Sequence, residues 1–233
     1  MTFISTPSRR PAVLFDLDGT IINSREGIIH SIHNVLRDMG HEPDLSMDLT
    51  WVVGPPLPAL LREILHQYGD DRADLAVTLY RKHYEHGDGM KRTPVFEGMR
   101  EAIAAIRHSG TRMFIATSKP VHLAKAILKQ NGLLENFQDV YGARPDDSGA
   151  EKPELIASLM REQDVSADQA VMLGDRRFDI SGAHANRMRA VGVLWGYGGL
   201  KELTEAGAEA IAGSPSDLPD MVRQQFAAAA VHI

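Results

Sequence analysis

"PAVLFDLDGTI", residues 11–21, decides how the rest of the chain is read. Ala12 to Phe15 is a short apolar run of buried-strand type. It ends on two carboxylates, Asp16 and Asp18, with Leu17 between them and Gly19 behind. In an extended segment residues i and i+2 face the same side, so both acids point at one spot beyond the carboxyl end of a first strand. Like charges placed there repel each other and lose hydration. Two readings account for them: a surface turn held by Asx hydrogen bonds, or a place where a cation and a phosphate sit. Gly19 serves the second by letting the chain turn sharply and its peptide N–H approach an anion.

Outward from that strand the pattern becomes helical. Ile28, Ile29, Ile32, Val35, Leu36 and Met39 share one face, and Gly40 closes the segment. "GPPLPALLREILHQYG", residues 54–69, carries a second helix on Leu57, Leu60, Leu61, Ile64, Leu65 and Tyr68, after prolines suited to a first turn. Leu75, Leu79 and Tyr80 mark a third over about 72–84. No strand pattern falls between 24 and 90, and "HGDGMKRTP", residues 86–94, reads as a linker.

From Val95 onward strands and helices alternate. Helices are expected at 98–108, 121–130, 153–163, 178–188 and 217–226. Strands are expected at 112–117, in "FQDVYG" (137–142), in "AVMLGD" (170–175), in "RAVGVLW" (189–195) and weakly at 210–212. Such alternation means βαβ units with right-handed crossovers. The fold class is α/β, a Rossmann-like parallel sheet with an all-helical block inserted after the first strand. The expected division is a core of residues 1–22 and 93–233 and a helical cap of residues 23–92.

Composition narrows the partners. The chain has 233 residues, 43% hydrophobic and 24% charged, which permits a sizeable core. Its net charge of −6 argues against a nucleic-acid polymer, which needs a basic surface, but not against a small phosphorylated metabolite. It contains no cysteine, so disulfides, thiolate zinc sites and a cysteine nucleophile are excluded. Arg9 and Arg10 precede an apolar run too short for a secretory signal, and no stretch approaches the ~20 apolar residues that span a bilayer. A cytoplasmic protein, monomer or homodimer, with no membrane partner is expected.

Three further segments end strands in chemistry-bearing residues. In "GDRRFD", residues 174–179, Asp175 closes an apolar strand and Asp179 follows one helical turn later. Acids from two strand ends on one sheet edge tolerate each other around a hard cation, and an oxygen-only donor set suits Mg²⁺. Asp179 alone also fits a first-turn acid favoured by the helix dipole. In "FIATSKP", residues 114–120, Thr117 and Ser118 are placed to hold phosphate oxygens or simply to cap a helix. In "GAEKPELI", Lys152 precedes Pro153 at a helix mouth, where a lysine is ordinarily solvated.

In order, "DLDGT", "ATS", the lysine of "EKP" and "GDRRFD" resemble the four motifs of the haloacid dehalogenase superfamily of phosphohydrolases, and the likeness spans nearly the whole chain. "GPPL", "ATSKP" and "GVLWGYG" are similar to its phosphoglycolate-phosphatase-like and 5′-nucleotidase-like branch. The resemblance implies Asp16 as the nucleophile that takes a phosphoryl group, and Asp18 as the acid and then the base. It implies Gly19, Thr117, Ser118 and Lys152 around the phosphate. Asp16, Asp175, the Asp18 carbonyl and Asp179 would lie around Mg²⁺. The implied reaction is hydrolysis of phosphoglycolate or a nucleoside 5′-monophosphate. A sugar-phosphate mutase shares these motifs. A phospho-Asp signalling receiver also uses Asp, Thr and Lys at strand ends, but places its phosphoacceptor on a later strand. Substrate choice is expected of the cap, through Gly54 and cations such as Arg62, Arg25 or Lys91.

Overall fold

The computed structural model describes residues 10–47, 49–54 and 57–230. Its sheet has strands β1 (Ala12–Phe15), β2 (Arg112–Pro120), β3 (Asp139–Ala143), β4 (Ala170–Gly174), β5 (Arg189–Val193) and β6 (Ala210–Ala212), in spatial order β3-β2-β1-β4-β5-β6. Every pairing is parallel, as Leu14 opposite Phe114 on one side and Met172 on the other illustrates. β1 lies in the middle, and the chain builds outward from it first one way and then the other. The reversal opens a crevice beyond the carboxyl ends of β1 and β4, the place where open α/β sheets bind ligands.

The period of two along the central strands supplies two cores. Val13 and Phe15 of β1, with Val171 and Leu173 of β4, face helices α4 (Met99–His108), α5 (Val121–Gln130) and α9 (Leu218–Ala230). Ala12, Leu14, Ala170 and Met172 face α6 (Lys152–Glu162), α7 (Arg177–Ala185) and α8 (Leu200–Glu205) on the other side. Strands buried on both faces must be apolar throughout. The first polar side chain of the β1 segment therefore falls where burial by helices ends, at Asp16.

The block between β1 and α4 is helical, as expected: α1 (Arg25–Asp38), α2 (Leu57–Gln67) and α3 (Ala73–Arg81). These helices close on their own apolar cluster, including Ile32, Leu36, Leu61, Ile64 and Tyr80, joined from the sheet side by Leu123. Both connections to the block run side by side. Ile22 bridges Val95, Asn23 N–H donates to the Pro94 carbonyl at 2.8 Å, and Phe96 N–H donates to Ile21 at 3.0 Å.

Helix α8 was not expected from the sequence, and two boundaries near the site depart from that reading. The third helix ends as an α-helix at Arg81 and continues as a π-helical turn, Lys82–His86, a form common at functional positions. β2 runs to Pro120 rather than ending near Thr117, with a register shift between Ala116 and Pro120. Such an irregularity re-aims side chains, here at the mouth of the crevice.

Candidate active site

Five segments deliver polar side chains to the crevice. Asp16 prolongs β1, its N–H donating to Leu173 of β4 at 2.9 Å, and it is 7% exposed. Lys152, at the first turn of α6, is 6% exposed rather than solvated. Its ammonium lies 2.7 Å from Asp16 Oδ1, 2.6 Å from Asp179 Oδ1, and donates to the Ala116 carbonyl at 2.7 Å. That carbonyl belongs to β2, so one lysine ties β1, β2 and α7 together at their functional ends. Asp179 Oδ2 accepts from Arg176 N–H at 3.1 Å, as a first-turn acid of α7 does, while Oδ1 lies 2.6 Å from the Lys152 ammonium.

Asp175, completely buried, accepts from Tyr197 N–H at 2.7 Å and lies 3.4 Å from the Thr20 hydroxyl. Gly19 has φ +89°, and a Cβ there would stand 2.2 Å from Asp175 Oδ2. A side chain at residue 19 would occupy the carboxylate's place, so the "DLDGT" turn requires glycine for both conformation and space.

Asp16, Asp175 and Asp179 each offer a carboxylate oxygen within 4.8 Å of the others. Burial, ahead of repulsion from Asp179 and Asp18 and against the pull of Lys152, pushes the Asp16 carboxyl up to about 7. Burial also holds Asp175 well above the usual carboxylate range. For Lys152 burial opposes the charge, but Asp16 and Asp179 outweigh it and raise the ammonium. Three buried acids against one buried lysine is an imbalance that a divalent cation corrects. The donors are all oxygen, with no His or Cys, so the residues present fit a hard ion.

The remaining wall is formed around Asp18. Its two carboxylate oxygens accept from Lys119 Nζ at 3.1 and 3.0 Å, and that ammonium sits 4.8 Å from the centre of the Tyr84 ring. Burial opposes the Lys119 charge, but Asp18 and Tyr84 overcome it and raise the ammonium. Thr117 is 1% exposed on the same cleft, and the exposed Ser118 donates its hydroxyl to the Ala150 carbonyl at 2.8 Å.

Lys119 is the residue that motif reading missed. In "TSKP" it follows Thr117 by two positions in an extended segment, and that same-side spacing was the available signal. Tyr84 and Arg176 were also missed, as was the Gly196–Tyr197 turn that brings a backbone N–H to Asp175. Arg176 donates to Glu202 at 2.9 Å and reaches across to the Val53 carbonyl at 2.5 Å.

The expected helical-block residues divide. Gly54 lines the cleft beside Arg176, with a Cβ there falling 2.5 Å from Arg176 Nη1. Arg62 does not: α2 buries Leu60, Leu61, Ile64 and Leu65, and the helical period leaves Arg62 exposed away from the cleft. Lys91 pairs with Asp88 at 3.1 Å, and Arg25 lies 4.9 Å from the Tyr197 ring centre; neither lines the cleft. A basic residue read from sequence alone carries no sign of which helix face it occupies.

No helix among the described residues is long and apolar enough to cross a membrane. Residues 13–193 match the family model described as haloacid dehalogenase-like hydrolase. A 5′-nucleotidase of Pseudomonas aeruginosa is 37% identical over 84% of this chain and 87% of its own length. The tyrosine-protein kinase PtkA of Mycobacterium tuberculosis is 35% identical over 83% of this chain and 66% of its own. Among solved structures, a predicted phosphatase from Clostridium acetobutylicum superposes with a TM-score of 0.82 at 34% identity, covering 93% of this chain and all of its own.

Proposed function

This chain belongs to the haloacid dehalogenase-like hydrolase family, and on that premise we propose that it is a Mg²⁺-dependent phosphomonoesterase working through an aspartyl-phosphate on Asp16. The observation that carries the reading is the meeting of Asp16, Asp175 and Asp179 with Lys152 at one point, next to Asp18 and Thr117. Asp16, Asp175 and the Asp18 carbonyl, with Asp179, would hold the ion. When bound there, Mg²⁺ supplies the charge neutralisation that lets a carboxylate approach a phosphate monoester.

An Asp16 carboxylate oxygen attacks phosphorus as the bond to the leaving oxygen breaks. Lys152 and Thr117 hold the equatorial oxygens, where charge spreads in the transition state. Asp18 gives its proton to the leaving oxygen. With the alcohol gone, Asp18 takes a proton from the incoming water, whose oxygen attacks the same phosphorus. The acyl-phosphate P–O bond breaks, freeing inorganic phosphate and restoring the Asp16 carboxylate. Lys119 keeps the Asp18 side chain on the substrate side of the turn, and the helical block forms a cap over the reacting atoms.

Phosphate release from a panel of phosphomonoesters, with Mg²⁺ and then with EDTA, tests the reading. Activity lost in Asp16→Asn, with a phosphoryl-sized mass gain on Asp16 in the quenched wild type, is the expected outcome. Isomerisation of a hexose phosphate without net release, or a stable phospho-Asp16 without turnover, would overturn it.

A further inference from the structure

The cleft beside Asp16 has a volume of about 350 Å³, the size of a site that encloses a whole metabolite. Its chemistry changes sharply away from the acids. Val52, Leu57 and Leu60 from the helical block face the cleft, as do Tyr80, Leu123 and Phe178. Phe178 keeps 42% of its surface exposed although the ring is purely apolar. The guanidinium of Arg177 lies 4.6 Å from its ring centre and that of Arg176 5.9 Å.

Among the described residues lining this cleft, every cation already faces a carboxylate. Lys152 faces Asp16 and Asp179, and Lys119 faces Asp18 at 3.0 Å. Arg81 pairs with Asp147 at 2.6 Å and Arg176 with Glu202 at 2.9 Å. Glu85 and Glu151 line the same space and add negative charge. A leaving group with a carboxylate of its own would thus be desolvated among acids and apolar side chains. The lining cations, Lys119 among them, would have to leave their own carboxylates to compensate it, and Arg177, which lies on the Phe178 ring, is not among the lining residues. Burying a charge without a partner is costly, whereas burying a ring against aromatic and aliphatic walls is favourable.

We propose that the substrate's leaving group is an uncharged, ring-bearing alcohol, of the nucleoside or aryl class, seated against Phe178 and the apolar wall of the helical block. Small carboxylate-bearing alcohols such as glycolate fit this cleft poorly. The proposal rests on the phosphomonoesterase reading and selects among the substrates that reading allows.

The test compares kcat/KM at one pH and saturating Mg²⁺ for adenosine 5′-monophosphate, phenyl phosphate, phosphoglycolate and acetyl phosphate. At least one ring-bearing ester is expected to exceed phosphoglycolate by roughly tenfold or more, the size of a buried aromatic contact. Phe178→Ala should cut that ratio by about tenfold. Leu57→Lys, which puts an unpaired cation on the wall without touching α7, should raise phosphoglycolate relative to the ring-bearing esters. Preference for phosphoglycolate in the wild type, or a ratio that neither substitution moves, overturns the inference while leaving the hydrolase reading intact. Absence of Asp16-dependent release from all four compounds overturns both.

Discussion

Replacing Asp16 by Asn should abolish turnover and yet stabilise the metal-free protein, by an amount that depends on pH. The carboxyl moves from 3.8 in the unfolded chain to about 7 in the fold, chiefly through burial. An acid raised in this way binds more protons when folded than when unfolded, so stability falls as pH climbs between the two values. At ~1.4 kcal/mol per pH unit the whole effect is about 4 kcal/mol, of which roughly 2–3 kcal/mol develops between pH 5 and pH 8. The amide of Asp16→Asn has the same shape and no charge to desolvate, so the variant escapes this loss. For a chain of this length each kcal/mol moves Tm by about 2–4 °C. The advantage of the variant over wild type in EDTA should therefore grow by roughly 5–10 °C from pH 5 to pH 8, then level off. Thermal denaturation of both proteins across that range, followed by fluorescence or calorimetry, reads it directly. An advantage that is flat in pH, or larger at pH 5 than at pH 8, would refute the reasoning. Adding Mg²⁺ should shrink the difference at pH 8 by stabilising the wild type alone.

Three further outcomes follow from the same geometry. Mg²⁺ should raise the wild-type Tm in a saturable way, and Asp175→Asn should lose most of that rise because one of three buried carboxylates is gone; an undiminished shift in that variant would place the ion elsewhere. Lys119→Met should reduce kcat/KM about 10- to 100-fold for alkyl phosphates, whose leaving oxygens need the Asp18 proton, and much less for p-nitrophenyl phosphate. Equal losses on both would remove Lys119 from the positioning of Asp18. Gly54→Ala meets a φ of +122° and a Cβ 2.5 Å from Arg176 Nη1, so it should cost about 1–3 kcal/mol of local strain. Limited proteolysis should then cut the helical block faster than in wild type, and unchanged digestion would show that this contact does not hold the block in place.

The strands and helices of the sheet were legible because their periods are strong. The β1 and β4 segments are apolar at every position, as burial on two faces demands. Helices α4 to α7 begin and end within a few residues of where their apolar spacing places them. The π-turn after Arg81 and the continuation of β2 to Pro120 were not legible. They depend on contacts with distant parts of the chain and leave no periodic trace.

The site divides in the same way. Asp16, Asp18 and Asp175 could be singled out because a charged residue closing or following a buried strand contradicts the local pattern and asks for a reason, whereas Lys152, at the start of α6, stood out only through the order of the four motifs. What remained hidden was pairing between residues far apart in the chain. Lys119 meets Asp18 across 101 positions, and Tyr197 meets Asp175 across 22. Arg62 and Lys91 had the right charge in the right block and yet lie off the cleft, because a charge has no direction until the segment that carries it is packed. By itself the sequence determined the parallel sheet, the helical block inserted after its first strand, and the strand ends that carry acid. Only the tertiary structure decided which of those groups share one dehydrated volume and which basic residues balance them. Coulomb energies depend on distance and on how much water remains between charges, and neither is written in the order of residues along a chain.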